Sequence, residues 1–95
     1  MKVVFLAPAQ SELDAVDWYN RQAAGLGREL LDELDRAVRR ALAFPLSYPE
    51  IEPGIRRCRL GRFPYGVLYG IDGDTLVVVA VAHLHRRPRY WIDRI

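Results

Sequence analysis

Residues 83 to 91 read HLHRRPRYW, which sets two imidazoles, three guanidiniums, a phenol and an indole directly after the most apolar run of the chain. Imidazole and phenol groups can take up and release protons, and guanidinium groups can stabilise developing negative charge, so these residue types could serve acid–base catalysis. Arg, Tyr and Trp are also the side chains that dominate binding interfaces, because they bury large areas at low entropic cost. A third role is structural: Pro88 ends a strand, and Trp91 three residues later is placed to fold back over a sheet. His83, nearest the apolar run, is read as a satisfied core histidine, His85 as the functional one, and Tyr90 as exposed.

Other chemistries fit poorly. His83 and His85 offer two metal ligands where a catalytic zinc takes three from the protein, so no metal and no cofactor are expected. Cys58 is the only cysteine; it allows no internal disulfide and reads as core packing. Ser11 and Ser47 fall at a helix start and in a proline-rich loop, and Gly25 and Gly27 form no phosphate-binding signature.

Whatever the cluster does, a small fold must hold it. A chain of 95 residues is expected to form one domain over residues 1–95. No apolar run approaches the roughly 20 residues that a bilayer crossing needs. The opening MKVVFLAPAQ lacks the pattern of a signal peptide, so a cytoplasmic location without membrane contact is expected. Charge is divided unevenly. Residues 1–53 carry six Lys/Arg against nine Asp/Glu, or −3, and residues 54–95 carry eight against three, or +5. The basic half can attract phosphates or an acidic protein segment.

KVVFL (2–6) predicts a strand leading into a helix with Pro8 in its first turn, and Leu13, Val16 and Ala23 continue that helix to about residue 23. Gly25 and Gly27 break it. Leu26, Leu30, Leu34, Val38 and Leu42 recur at every fourth residue, which predicts a second helix over 26–44 with one buried face. Its acids lie early and Arg36, Arg39 and Arg40 late, complementing the helix dipole. PLSYPEIEP (45–53) reads as a loop. Strands are expected over 54–62, 65–71 and 75–85, the last two joined by a hairpin turn at Asp72 and Gly73.

That turn sets the faces, because side chains alternate along a strand. One face would hold Tyr65, Val67, Tyr69, Leu76, Val78 and Ala80 and meet the helices. The other would hold Gly66, Leu68, Gly70, Val77, Val79 and Val81 and end in His83 and His85. Cys58 and Leu60 would point inward. Arg57 and Arg59 would then share a partly open face with both histidines, with unfilled space over Gly66.

The element order, the LDAVDWYNRQAAGLGRELLDELDRAV and YPEIEPGIRRCRLGRFPYGVLYGIDGDTLVVVAVAH segments and the terminal HRRPRYW together resemble the RelE/ParE toxin family over nearly the whole chain. The resemblance implies an α+β fold, strand-helix-helix-strand-strand-strand, with a two-helix hairpin packed on a small antiparallel sheet. It also implies a toxin neutralised by a cognate antitoxin. In the family's ribonuclease branch, which cuts messenger RNA on the ribosome, Arg57 and Arg59 match residues that hold phosphates. Gly66 and His85 depart from that branch by standing where arginines are common. Were this chain such an enzyme, His85, Arg57, Arg59 and Tyr90 would form its catalytic set. The ParE branch inhibits DNA gyrase by binding it, and VAVAHLHRRPRYW resembles its basic ending more closely. Arg86, Arg87, Arg89 and Tyr90 would then contact the target. On charge, an acidic antitoxin tail would run past Arg57, Arg59 and Arg62, with an amphipathic helix on the hairpin. A non-toxic nucleic-acid-binding module is the reading from another class, but no pair of aromatics on the sheet supports it.

Overall fold

The β-branched run near the start forms strand β1 (Lys2–Phe5) in the computed structural model, which describes residues 1–95. Pro8 sits in the first turn of a short helix, α1 (Ala7–Ser11), where its missing N–H removes no intrahelical bond. A 3-10 turn, Glu12–Asp14, links it to α2 (Ala15–Gln22). The helix expected as one span is therefore bent, because α1 packs on the sheet while α2 packs on the next helix.

That helix, α3 (Leu26–Ala43), buries Leu30, Leu34, Ala37 and Ala41. Gly25 precedes it at φ +82°, the left-handed conformation that the break requires. Gly27 plays a different part from the one expected. It lies inside α3 where a Cβ would run into the Val16 carbonyl and the Asn20 amide, and its N–H donates to Asn20 Oδ1 at 2.8 Å. The missing side chain lets α2 and α3 close into a hairpin.

Four further strands follow: β2 (Glu50–Glu52), β3 (Ile55–Arg59), β4 (Tyr65–Asp72) and β5 (Thr75–His83). The sheet order is β1-β5-β4-β3-β2, with β1 parallel to β5 and every other pair antiparallel. β2 was hidden in the loop expected at 45–53, since prolines flank it and a three-residue edge strand has almost no pattern of its own. The rest of that loop is tied down: Tyr69 donates its hydroxyl to the Pro45 carbonyl at 2.6 Å, and Arg56 donates to the carbonyls of Leu46 and Tyr48 at 3.2 and 2.7 Å.

The register differs from the expected one in two ways. The turn residues are Gly73 and Asp74, because Asp72 pairs with Thr75 and Gly73 takes φ +61°. This slides the pairing by two positions, which keeps every side chain on its expected face as far as Val78. A bulge then intervenes, with Tyr69 opposite Val78 but Leu68 opposite Ala80. The extra residue inverts the alternation beyond it. Ala80 joins Leu68 and Val79 on the face away from the helices, whereas Val81 turns toward the helices and His83 comes to face Tyr65. The predicted shared face of Arg57, Arg59, His83 and His85 is therefore not formed.

Two cores result. Between helices and sheet lie Leu30, Leu34, Cys58, Val67, Tyr69, Leu76 and Val78 with their neighbours. On the opposite face, Ile55, Leu68, Val79, Ala80 and Ala82 are covered by Trp91. The chain returns under the sheet after Pro88 and ends in a 3-10 turn, Ile92–Arg94. No helix is long and apolar enough to cross a membrane.

Candidate functional site

β1 stops pairing with β5 at Val78, whose carbonyl accepts from the Leu6 N–H at 3.0 Å. Beyond that point the outer edge of β5 would be bare, and two charged side chains occupy it. Glu12 Oε1 accepts from the Val81 N–H at 2.9 Å, and Arg94 donates to the Val79 carbonyl at 3.0 Å. The two side chains also pair with each other: Arg94 donates to Oε1 at 2.8 Å and to Oε2 at 3.2 Å. The second Glu12 oxygen further accepts the Tyr90 hydroxyl and lies 3.6 Å from a guanidinium nitrogen of Arg86. One carboxylate from the start of the chain thus gathers the whole C-terminal segment.

The ionisation of these groups follows from that contact. Burial, and then the hydrogen bond to Glu12 and its negative charge, push the Tyr90 hydroxyl far above its ordinary range. The hydrogen bond to Glu12 raises the Arg94 guanidinium beyond its usual value, although burial opposes the shift. Tyr90 therefore holds its proton and spends it on Glu12. The Arg86 guanidinium stacks 3.8 Å above the centre of the Tyr90 ring, a cation–π contact that fixes both side chains.

Between the returning segment and the far face of the sheet lies a cleft of about 230 Å³. Leu68, Ala82 and Trp91 supply its apolar part, and Arg57, Arg86, Arg87 and Arg89 supply charge. The arginines are not equivalent. Arg86 is committed to Glu12 and Tyr90, and Arg89 pairs with Glu52 across the cleft while holding φ +60°, a strained conformation for a residue with a side chain. Arg87 is exposed on the rim and forms no ion pair or side-chain hydrogen bond. Arg57 is half-buried. The other half-buried arginines, Arg40, Arg56 and Arg94, all reach protein oxygens, whereas Arg57 reaches none. A partly desolvated guanidinium without an acceptor is costly unless something outside the chain supplies one.

The candidate residues thus fall into separate places. Arg57, Arg86, Arg87, Arg89 and Tyr90 meet around one cleft, which His83 also borders. His85 lies in the turn after β5, exposed and outside the cleft. Its N–H donates to Nδ1 of His83 at 3.2 Å. His83 is only half-buried, its ring edge-on to Tyr65 at 5.1 Å. Arg59 is exposed further along β3, and Arg62 pairs with Glu29 at 3.2 Å while lying over Phe63.

Three local expectations are corrected. Tyr90 is half-buried with its hydroxyl engaged, not free at the surface. His83 is not a core histidine. The space over Gly66 is filled, since a Cβ there would meet Arg57 Cγ at 3.2 Å and Leu84 Cδ2 at 3.4 Å. Nothing in the sequence singles out Glu12. It is one of three acids in the first helical stretch, 69 to 82 residues distant from the groups that it holds. No group of three or more His, Cys, Asp or Glu residues is placed to hold a metal ion.

Comparison with known proteins adds the family. No curated protein matches the sequence. A solved structure described as a chromosomal ParDE TA system from P. aeruginosa is similar to this chain, with a TM-score of 0.76 and 18% identity over 90% of this chain and 97% of that one. At that identity the likeness speaks for the fold. The model described as the ParE toxin of the type II toxin–antitoxin system parDE matches residues 3–88, which include both helices of the hairpin, the sheet and the first half of the cleft-forming segment. The chain belongs to the ParE toxin family of type II toxin–antitoxin systems.

Proposed function

We propose that this toxin arrests growth by binding DNA gyrase and inhibiting it, with the rim of the cleft around Arg87 as a contact surface. The observation that carries this reading is the engagement of Tyr90 by Glu12. RNA cleavage through a 2′-hydroxyl needs a base, an acid and a cation at one phosphate. The phenol that would act as the acid is a proton donor to Glu12, and His85 stands outside the cleft that holds Arg57. What the segment offers outward is an unpaired guanidinium between residues tethered by Glu12 and Glu52, the property of an interface anchor. Expression in a bacterial host tests this. Growth arrest with induction of the DNA damage response and intact messenger RNA is expected; arrest with rapid messenger RNA loss and no damage response would contradict it.

The antitoxin that the family implies is proposed to place acidic residues along Arg57 and Arg59, which lie on one face of β3 and have no acids of their own. Arg62 is already paired with Glu29 and would add less. Because Arg57 is half-buried, a carboxylate meeting it would be screened less than one on an open surface. The toxin–antitoxin complex is expected to weaken by about tenfold or more as the ionic strength rises from roughly 0.1 to 1 M, where the screening length falls from about 10 to 3 Å. An affinity unchanged across that range would show that the arginines are not the contact.

A further inference from the structure

Glu12 has a role that neither its position in the first helical stretch nor the family assignment indicates. The geometry points to Glu12 as a positioning residue, which holds the C-terminal segment in the one arrangement that presents Arg87 to the target. This inference rests on the proposed use of that rim.

The segment has little else to hold it at its N-terminal end. Between Leu84, whose N–H donates to the Pro64 carbonyl at 2.8 Å, and buried Trp91, the backbone forms only local turn bonds, such as Arg86 N–H to the His83 carbonyl at 3.0 Å. Those turns do not dictate where residues 86–90 lie relative to the sheet. Glu12 does. Its oxygens reach Arg86 and Tyr90 on one side and Arg94 beyond Trp91 on the other, while the Val81 N–H and the Val79 carbonyl fix the Glu12–Arg94 pair to β5. The carboxylate and Arg94 are largely buried, with side-chain exposures of 13% and 16%. Arg87 follows Arg86 directly, so the direction in which it leaves the cleft is set by a residue whose stacking on Tyr90 depends on Glu12. Removing the carboxylate leaves three donors without their acceptor and releases the segment between its two ends.

Glu12→Gln tests this, because it keeps the shape and removes the charge and one acceptor oxygen. Arg94→Gln breaks the same pair from the other side at a residue outside the proposed contact surface. The measurements are hydrogen exchange at 84–95 against that of α3 and β4, and the toxin level giving half-maximal growth arrest. In both variants, amides of 84–95 are expected to exchange at least about tenfold faster while α3 and β4 keep their protection, since segments can open locally without global unfolding. The toxin level required is expected to rise about tenfold or more, the loss typical of disturbing an interface anchor. A merely structural role would lower protection everywhere together.

The inference is overturned if 84–95 stays protected in Glu12→Gln, or if the segment loosens and growth arrest is unchanged. Should Glu12→Gln fail to fold, Arg94→Gln decides by the same criteria. A wild type that arrests growth without touching gyrase refutes the proposed target, and the exchange and arrest comparison still judges Glu12. A wild type that arrests no growth removes both.

Discussion

Replacing Trp91 with alanine is expected to destabilise the fold by about 3–5 kcal/mol, the usual cost of emptying a large buried aromatic site. The indole is 4% exposed and covers Ile55, Leu68, Val79, Ala80 and Ala82 on the face of the sheet that no helix reaches. Without it, a continuous apolar face would open to water, and the cleft would lose its floor. For a domain of this size the melting temperature should fall by about 12 °C or more. Thermal melting of the purified variant checks this, and a loss under about 1 kcal/mol would mean that the site collapses around the gap or that the far face needs no cover. The same packing governs how truncations are read. Deleting residues 86–95 would remove Trp91 and Arg94 together with Arg87, so loss of toxicity after that deletion reports on folding as much as on contact.

Local pattern carried much of the fold. The fourfold repeat of leucines defined α3 to within a residue, and the alternation along β4 and β5 gave the correct inward face from Tyr65 to Tyr69 and from Leu76 to Val78. Two features depart from the pattern: the turn shifts the pairing, and the bulge inverts the faces. An aspartate-glycine pair favours a tight turn at Asp72–Gly73, but here the glycine leads the turn at positive φ. The bulge after Val78 has no residue signature, since Val79, Ala80 and Val81 are equally at ease on either face, and one extra residue is enough to turn His83 onto the other face of its strand, opposite Tyr65. The Glu12 cluster was illegible for another reason. It joins the 3-10 turn after α1 to the last element of the chain, and only the sheet's topology brings them together.

Replacing Arg87 with alanine is expected to leave stability within about 0.5 kcal/mol of wild type, because the side chain is exposed and has no partner inside the molecule. Its effect should fall on function instead. An anchor arginine contributes about 2 kcal/mol or more to binding, so the toxin level needed for growth arrest should rise roughly 30-fold. Its neighbours would give less clean results. Arg86 supports Tyr90 and Glu12, and Arg89 holds Glu52, so removing either changes the scaffold as well as the surface. His85 is the natural counterpart: exposed and outside the cleft, it matters greatly to a nuclease that uses it for proton transfer and little to a binder.

A DNA supercoiling assay with purified gyrase, run on wild type, His85→Gln and Arg87→Ala after each is shown to be folded, tests gyrase binding against RNA cleavage most directly. Inhibition is expected from wild type and equally from His85→Gln, with Arg87→Ala weaker by roughly 30-fold. Supercoiling left untouched by the wild type, together with messenger RNA cleavage on ribosomes that His85→Gln slows by about 100-fold, would contradict it.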